Sequence, residues 1–321
     1  MADPTPRPLT APSAAAACAS EWLATPLLAM EPAAAARLTA LAQGVVAGTV
    51  VPTDLQALAP SDRPTRTTGG SVAVLDLVGP LTPSASLWTL FGVGTSVRQF
   101  MRDLSAAAAD AAISSLVLYV DSPGGSVALV PEAAALLRSV RAVKPVSAVI
   151  GGCGCSAAYW IASNATSIAA TTSALVGSLG VIAERVSLVR QLAADGIDVD
   201  VIATSPAKAW GHPATALGDA ERAHLVARAQ TINADLERDV ALGRRVSVDV
   251  VRTRFGGGRC LTADEAQAAG LIDRVEVAGV DALIASAALA GPRARLTASA
   301  LRGPRAALAA AAHRQEIRLR S

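Results

Sequence analysis

Leu116-Val-Leu-Tyr-Val-Asp121-Ser-Pro-Gly-Gly125-Ser126 opens as an unbroken apolar run and then breaks into Ser-Pro-Gly-Gly. Such a run bounded by turn residues predicts a buried strand, here entering a Gly-Gly turn before the helical pattern Val130 to Val143. The same order recurs in Val146-Ser-Ala-Val-Ile150-Gly-Gly-Cys-Gly154-Cys155-Ser156-Ala157-Ala158-Tyr159-Trp160. Working outward, strands are predicted at Val72 to Val78, Ser167 to Ala169 and Val199 to Ala203. Helices are predicted at Thr95 to Ala111, Ala157 to Asn164 and Leu188 to Asp195. Strands alternating with helices specify an α/β fold with a mostly parallel sheet.

The flanks have a different texture. Residues 1–70 are rich in Pro and Ala, carry one helical stretch from Pro32 to Gln43, and read as an N-terminal arm. Downstream, Asp219 starts a long helix that ends near Gly243, with Leu225, Ile232, Leu236 and Val240 at helical spacing. Thr262-Ala-Asp-Glu265 is a capping box, Gly270 a helix stop, and Leu271 to Val277 strand-like. Residues 281–321 form a basic tail, with seven arginines and one acid, Glu316, after Pro292.

Composition narrows the function classes. The chain has 321 residues, 52% of them apolar but only 3% aromatic, and a net charge of +2. It can build a sizeable core, and it lacks the 18-residue apolar run of a membrane span. Neither a secretory leader nor a membrane role is expected, and the protein reads as cytoplasmic. Cys18, Cys153, Cys155 and Cys260 do not have zinc spacing, and His212, His224 and His313 are scattered, so no metal or cofactor is expected. The basic tail reads as a solvated end, and nucleic acid is not an expected partner.

Chemistry concentrates at the two glycine-rich junctions. Gly124 and Gly125 let backbone N–H groups face a small concavity suited to an oxyanion, although a tight turn would look the same. Ser156 stands where strand passes into helix, as a nucleophile would and as a simple N-cap would; Cys155 beside it is a rival nucleophile. A serine nucleophile needs a base. The one imidazole that suits is His212, four residues after Lys208. Only two lysines, Lys144 and Lys208, occur against 26 arginines. Arg cannot surrender its proton, whereas a desolvated lysine whose pKa falls from about 10.4 toward neutrality can act as a base. Lys144, ahead of Pro145, reads as a surface charge at a helix end.

Taken together, Asp121-Ser-Pro-Gly-Gly125, Ser156-Ala-Ala-Tyr-Trp-Ile-Ala162, Val176-Gly-Ser178-Leu-Gly-Val181 and Lys208 resemble, in order and spacing, the SppA-type serine peptidases related to signal peptide peptidase A. The resemblance covers about Ser71 to Val277, marking 71–280 as the peptidase domain. It implies the Clp protease/crotonase-like superfold and a Ser-Lys dyad, with Ser156 as nucleophile and Lys208, 52 residues on, as base. It further implies an oxyanion hole from Gly124 or Gly125 with Ala157, and a hydrogen bond from Ser178 that positions the lysine.

No N-terminal anchor of the kind that membrane-bound signal peptide peptidases carry is expected, and Gly243 to Asp249 with Phe255 to Arg259 resembles the capsid-maturation proteases of tailed phages. That branch implies phage scaffold, portal or capsid proteins as substrates, a homo-oligomeric ring, and work inside the host cytoplasm or procapsid. Alternative readings are a soluble bacterial peptidase of signal or membrane peptides, an inactive assembly protein of the same fold, and a crotonase-like acyl-CoA enzyme.

Overall fold

In the computed structural model, which describes residues 27–50, 72–84, 86, 89, 92–277 and 279–286, the chain builds two sheets that meet at the first Gly-Gly junction. Strand β1 (Leu27–Met30) and helix α1 (Pro32–Val46) lead into β2 (Val72–Val78), β3 (Leu81–Thr82), β4 (Thr95–Ser96), α2 (Val97–Ala109), β5 (Ser115–Ser122), β6 (Gly124–Ser126) and α3 (Val130–Val143). Next come β7 (Val146–Cys155), α4 (Ala157–Ala162), β8 (Ser167–Thr171), β9 (Leu175–Gly177), β10 (Ile182–Ala183), α5 (Val189–Ala194) and a 3-10 turn, Pro206–Ala209. The chain then forms α6 (Asp219–Arg244), α7 (Val248–Arg254), β11 (Cys260–Thr262), α8 (Ala263–Ala269) and β12 (Arg274–Glu276).

The larger sheet runs parallel through β2, β5, β7, β8 and β12. Beyond Ile150, β7 changes neighbour and pairs with β9, which carries β11 antiparallel on its other side. Strand β5 is buried along almost its whole length, as a parallel strand covered on both faces must be. Helices α2 and α3 present Val97, Phe100, Leu104 and Ala107, and Val130, Ala133, Leu137 and Val140, to one core. Those positions recur at the helical period, which explains why an alanine-rich sequence still makes amphipathic helices. The mixed α/β architecture with a mostly parallel sheet is the one expected.

Helix α4 is buried throughout and is fastened through its middle residues. The Tyr159 hydroxyl donates to the Leu271 carbonyl at 2.6 Å, and Trp160 Nε1 donates to Asp239 at 2.9 Å. Arg138 pairs with the same carboxylate at 3.0 Å. These contacts tie the element behind Ser156 to α3, α6 and the β12 connection.

Several local expectations change. Residues 199–203 form no strand, because the segment is largely exposed and has no neighbour to pair with. The strand expected from Leu271 to Val277 shortens to β12, since Leu271 and Ile272 turn into the core. The long helix does end near Gly243, at Arg244; what the sequence did not convey is that a β-carbon on Gly243 would stand 2.4 Å from the Ser163 carbonyl oxygen, so glycine there permits close helix approach. The second sheet, in the order β10-β1-β6-β3-β4, was not expected. Gly124 to Ser126 is its central strand, not a turn, and β1 beside it comes from the arm. At the other end, Leu283 and Ile284 are buried against Val74, Val117 and Tyr119, so the core continues past residue 280. The tail after residue 286 lies outside the described residues.

Tyr159→Phe should lower stability by about 1–2 kcal/mol in urea denaturation, because it removes a buried hydrogen bond without changing packing volume. An unchanged midpoint would show that the bond to Leu271 contributes nothing to holding α4.

Candidate active site

Ser156 follows the last residue of β7 and precedes the first of α4, with φ 54° and ψ −119°. Side chains rarely adopt that conformation, which costs on the order of 1–3 kcal/mol and persists only where the surroundings over-determine it. The surroundings are visible. The Ser156 N–H donates to the Gly177 carbonyl at 2.7 Å, and the Ser156 carbonyl accepts from Trp160 N at 2.8 Å. The serine is thus pinned on one side to β9 and on the other to the first turn of α4. Its side chain is fully buried, and Oγ is 3.4 Å from the Gly180 carbonyl.

Gly124 faces this serine. Its φ is +99°, and a β-carbon there would lie 3.0 Å from Ser156 Cβ, 3.1 Å from the Ala157 nitrogen and 2.2 Å from the Ala29 carbonyl oxygen. Only glycine fits. Gly125 is equally constrained, since a β-carbon would stand 2.0 Å from the Leu81 carbonyl oxygen. The buried Ser122 hydroxyl donates to the Gly79 carbonyl at 2.6 Å and accepts from Gly124 N at 3.2 Å, bracing the glycine strand. Sequence reasoning passed over Ser122, though the Ser-Pro-Gly-Gly string was its signal. Gly124 and the Ala157 nitrogen therefore lie beside the Ser156 side chain, while Gly125 packs against Leu81.

Cys155, the rival nucleophile, points elsewhere. Its sulfur lies 3.5 Å from Cys260 Sγ and 3.7 Å from the Leu175 carbonyl. Hydrogen bonding with Cys153 and Cys260, reinforced by burial, pushes its thiol pKa up, so it stays protonated. Cys260 shows the opposite shift, down to about 7, held mainly by the hydrogen bond from Cys155 and helped by one from Ser178. Ser178 itself is buried at φ 50°, with its N–H on the Arg259 carbonyl at 2.8 Å. Its hydroxyl is engaged with Cys260.

Lys208 lies on the exposed 3-10 turn. Among the described residues no hydrogen bond joins it to Ser156 or Ser178, and the desolvation expected of it is absent in the single chain. The segment just after the turn is anchored. Arg185 pairs with Glu221 at 2.9 Å and donates to the His212 and Thr215 carbonyls, each at 2.9 Å, while Glu221 accepts from Gly211 N at 2.8 Å. His212 is exposed and its Nδ1 accepts from Ala214 N at 3.2 Å, which occupies the imidazole locally. An open cleft of about 770 Å³ begins beside Ser156, lined by Leu179, Gly180, Val181, Ala183, Phe255 and Gly258 among others.

A hydroxyl held at such an elbow, beside Gly124 and the Ala157 nitrogen, suits acyl transfer. The mostly parallel sheet with its flanking helices is that of the Clp protease/crotonase-like fold. Residues 138–290 match the family model described as Peptidase family S49. The chain is 30% identical over 180 residues to the head-tail preconnector protein GP5 of Enterobacteria phage P21, covering 56% of this chain and 36% of the relative. It is 29% identical over 180 residues to the capsid assembly protease C of Escherichia phage lambda, covering 56% and 41%. Over 140 residues it is 35% identical to Protease 4 of Salmonella typhi, covering 43% and 22%. The matches thus span well under half the length of these relatives.

Two measurements test this geometry. Ser156→Gly should unfold at a higher urea midpoint than Ser156→Ala, by about 1–3 kcal/mol, because glycine adopts the backbone without strain; equal midpoints would mean that no strain is stored. The thiolate is the reactive form, so alkylation of Cys260 by iodoacetamide, read by peptide mass, should rise through pH 7, the pKa at which it is held. A midpoint near pH 9 would remove the assigned hydrogen bonds.

Proposed function

We propose that the chain is a serine endopeptidase using a Ser156–Lys208 dyad, with a peptidase domain over 71–280, an arm over 1–70 and a basic tail over 281–321. The elbow carries this reading: a costly backbone conformation is retained at the one serine facing Gly124. Ser156 Oγ attacks the scissile carbonyl while Lys208 takes its proton and later returns it to the leaving amine. Amides of Gly125 or Gly124 and of Ala157 stabilise the oxyanion. Ser178 orients the lysine once it leaves Cys260. No metal or cofactor enters any of these steps.

A lysine serves as a base only when desolvated, and the segment leading to Lys208 leaves Ile197, Val199 and Ile202 exposed, Ile202 almost completely at 96%. A second copy of the chain covering that segment would bury both the apolar residues and the amine. This favours a homo-oligomer, as a ring would provide. An inactive assembly protein has no use for the strain at Ser156.

The named phage relatives favour phage or prophage scaffold, portal or capsid proteins as substrates, processed in the host cytoplasm or procapsid. Among the described residues no helix is long and apolar enough to cross a membrane. The likeness to Protease 4 favours a second reading, a bacterial peptidase acting on signal or membrane peptides. Digestion of a co-expressed capsid or scaffold protein should be abolished in Ser156→Ala and reduced at least a thousandfold in Lys208→Arg, read by intact mass on folded protein. Mixing the two variants should restore cleavage if the lysine is supplied by a second copy. Cleavage that survives Lys208→Arg alone would remove the lysine from the mechanism.

A further inference from the structure

The strand β1 from the arm lies where a peptide substrate would have to lie. It is inserted antiparallel between β6 and β10, pairing Leu28 with Ser126, Ala29 with Gly125 and Met30 with Gly124 on one side. On the other side it pairs Leu27 with Ala183 and Leu28 with Ile182. Without β1 these two strands have no hydrogen-bonded neighbour in common. The Glu31 N–H donates to the Pro123 carbonyl at 2.8 Å. Hydrogen-bonded positions in an antiparallel pair recur every second residue, so Ala29 and Gly125 form the next such pair. The Gly125 N–H is thereby given to the Ala29 carbonyl.

That carbonyl oxygen is the atom 2.2 Å from a β-carbon on Gly124, beside Ser156 Cβ and the Ala157 nitrogen. An extended peptide completing a sheet edge gains its affinity from the main chain and its specificity from alternate side chains. Here the alternation is clear. Ala29 is fully buried in the main core with Tyr159 and Trp160, whereas Leu28 and Met30 belong to a separate cluster with Ala34, Ala35, Ala42 and Val45 of α1. A small side chain is all that fits at Ala29.

We infer that Leu27–Met30 is a built-in substrate and that the chain cuts itself between Ala29 and Met30. The inference rests on the proposed peptidase activity. Ser156 Oγ adds to the Ala29 carbonyl carbon, the bond to the Met30 nitrogen breaks, and the hydroxyl proton goes through the base to the new Met30 amine. Water then hydrolyses the acyl ester, leaving an Ala29 carboxylate and restoring the Ser156 hydroxyl. Cleavage frees the acyl-side subsites for other peptides, which would also carry a small residue before the scissile bond.

The test is intact mass and N-terminal sequencing of the full chain, with β-casein digestion measured in parallel. Wild type should lose the mass of residues 1–29 and acquire Met30 as its N-terminus; Ser156→Ala should keep the segment. In the Ala29→Arg chain the arginine cannot seat at the fully buried Ala29 position, so the segment should stay attached but leave the groove; the vacated groove should digest casein, and a synthetic peptide of residues 25–33 added to that chain should be cut after its alanine. Wild type that digests casein but keeps residues 1–29, or that cuts the peptide elsewhere, would overturn the inference and leave the peptidase reading standing. Failure to digest casein as well would overturn both.

Discussion

The site depends on one constrained residue, the Ser156 backbone. At φ 54° it reverses the chain from β7 into α4, and its amide reaches sideways to Gly177. Relaxing it into an ordinary strand or helix conformation would break that bond or swing the side chain away from Gly124. The strain is therefore distributed over its supports: β9 on one flank, the buried helix α4 behind, and the glycine strand in front. Tyr159 and Trp160, packed and hydrogen-bonded beneath, keep α4 from moving to release it. A few kcal/mol of local strain can be sustained because the core around it is dense and its polar atoms are paired.

The parallel sheet was legible because its strands are buried on both faces and read as continuous apolar runs, as Leu116 to Val120 and Val146 to Ile150 do. The second sheet was not legible. Its strands are two to four residues long, and β6 is Gly-Gly-Ser, a string that locally signals a turn. Pairing, not propensity, makes it a strand, since its neighbours β1 and Leu81 are far away in sequence. The run Val199 to Ala203 failed for the converse reason. It has strand-like residues but, among the described residues, no strand to pair with.

The candidate nucleophile could be read from the strand-glycine-serine-helix pattern, and the glycines facing it from the matching junction. The Arg185–Glu221 pair could not, because a buried ion pair between residues 36 apart depends on tertiary neighbours. Sequence reasoning also treated Lys208 as a buried amine. The exposed turn shows what scarcity of lysine cannot convey: a residue can be chemically singled out yet lack its low-dielectric surroundings within one chain.

These features together describe a site closed on one side and open on the other. The acyl-side groove is filled by β1, with Ala29 against Gly124 and Gly125, so hydrolysis of any other peptide must follow its removal. Lys208, the proposed base, stands in water on an exposed turn. An exposed lysine there suits docking against a second copy of the chain, which would desolvate it. Ser178, engaged with Cys260 until an amine arrives, is the group such docking would redirect. Two independent events, one clearing the groove and one desolvating the lysine, would then be required before Ser156 turns over substrate. A peptidase surrounded by its own assembly partners would be restrained by that double requirement until both conditions are met.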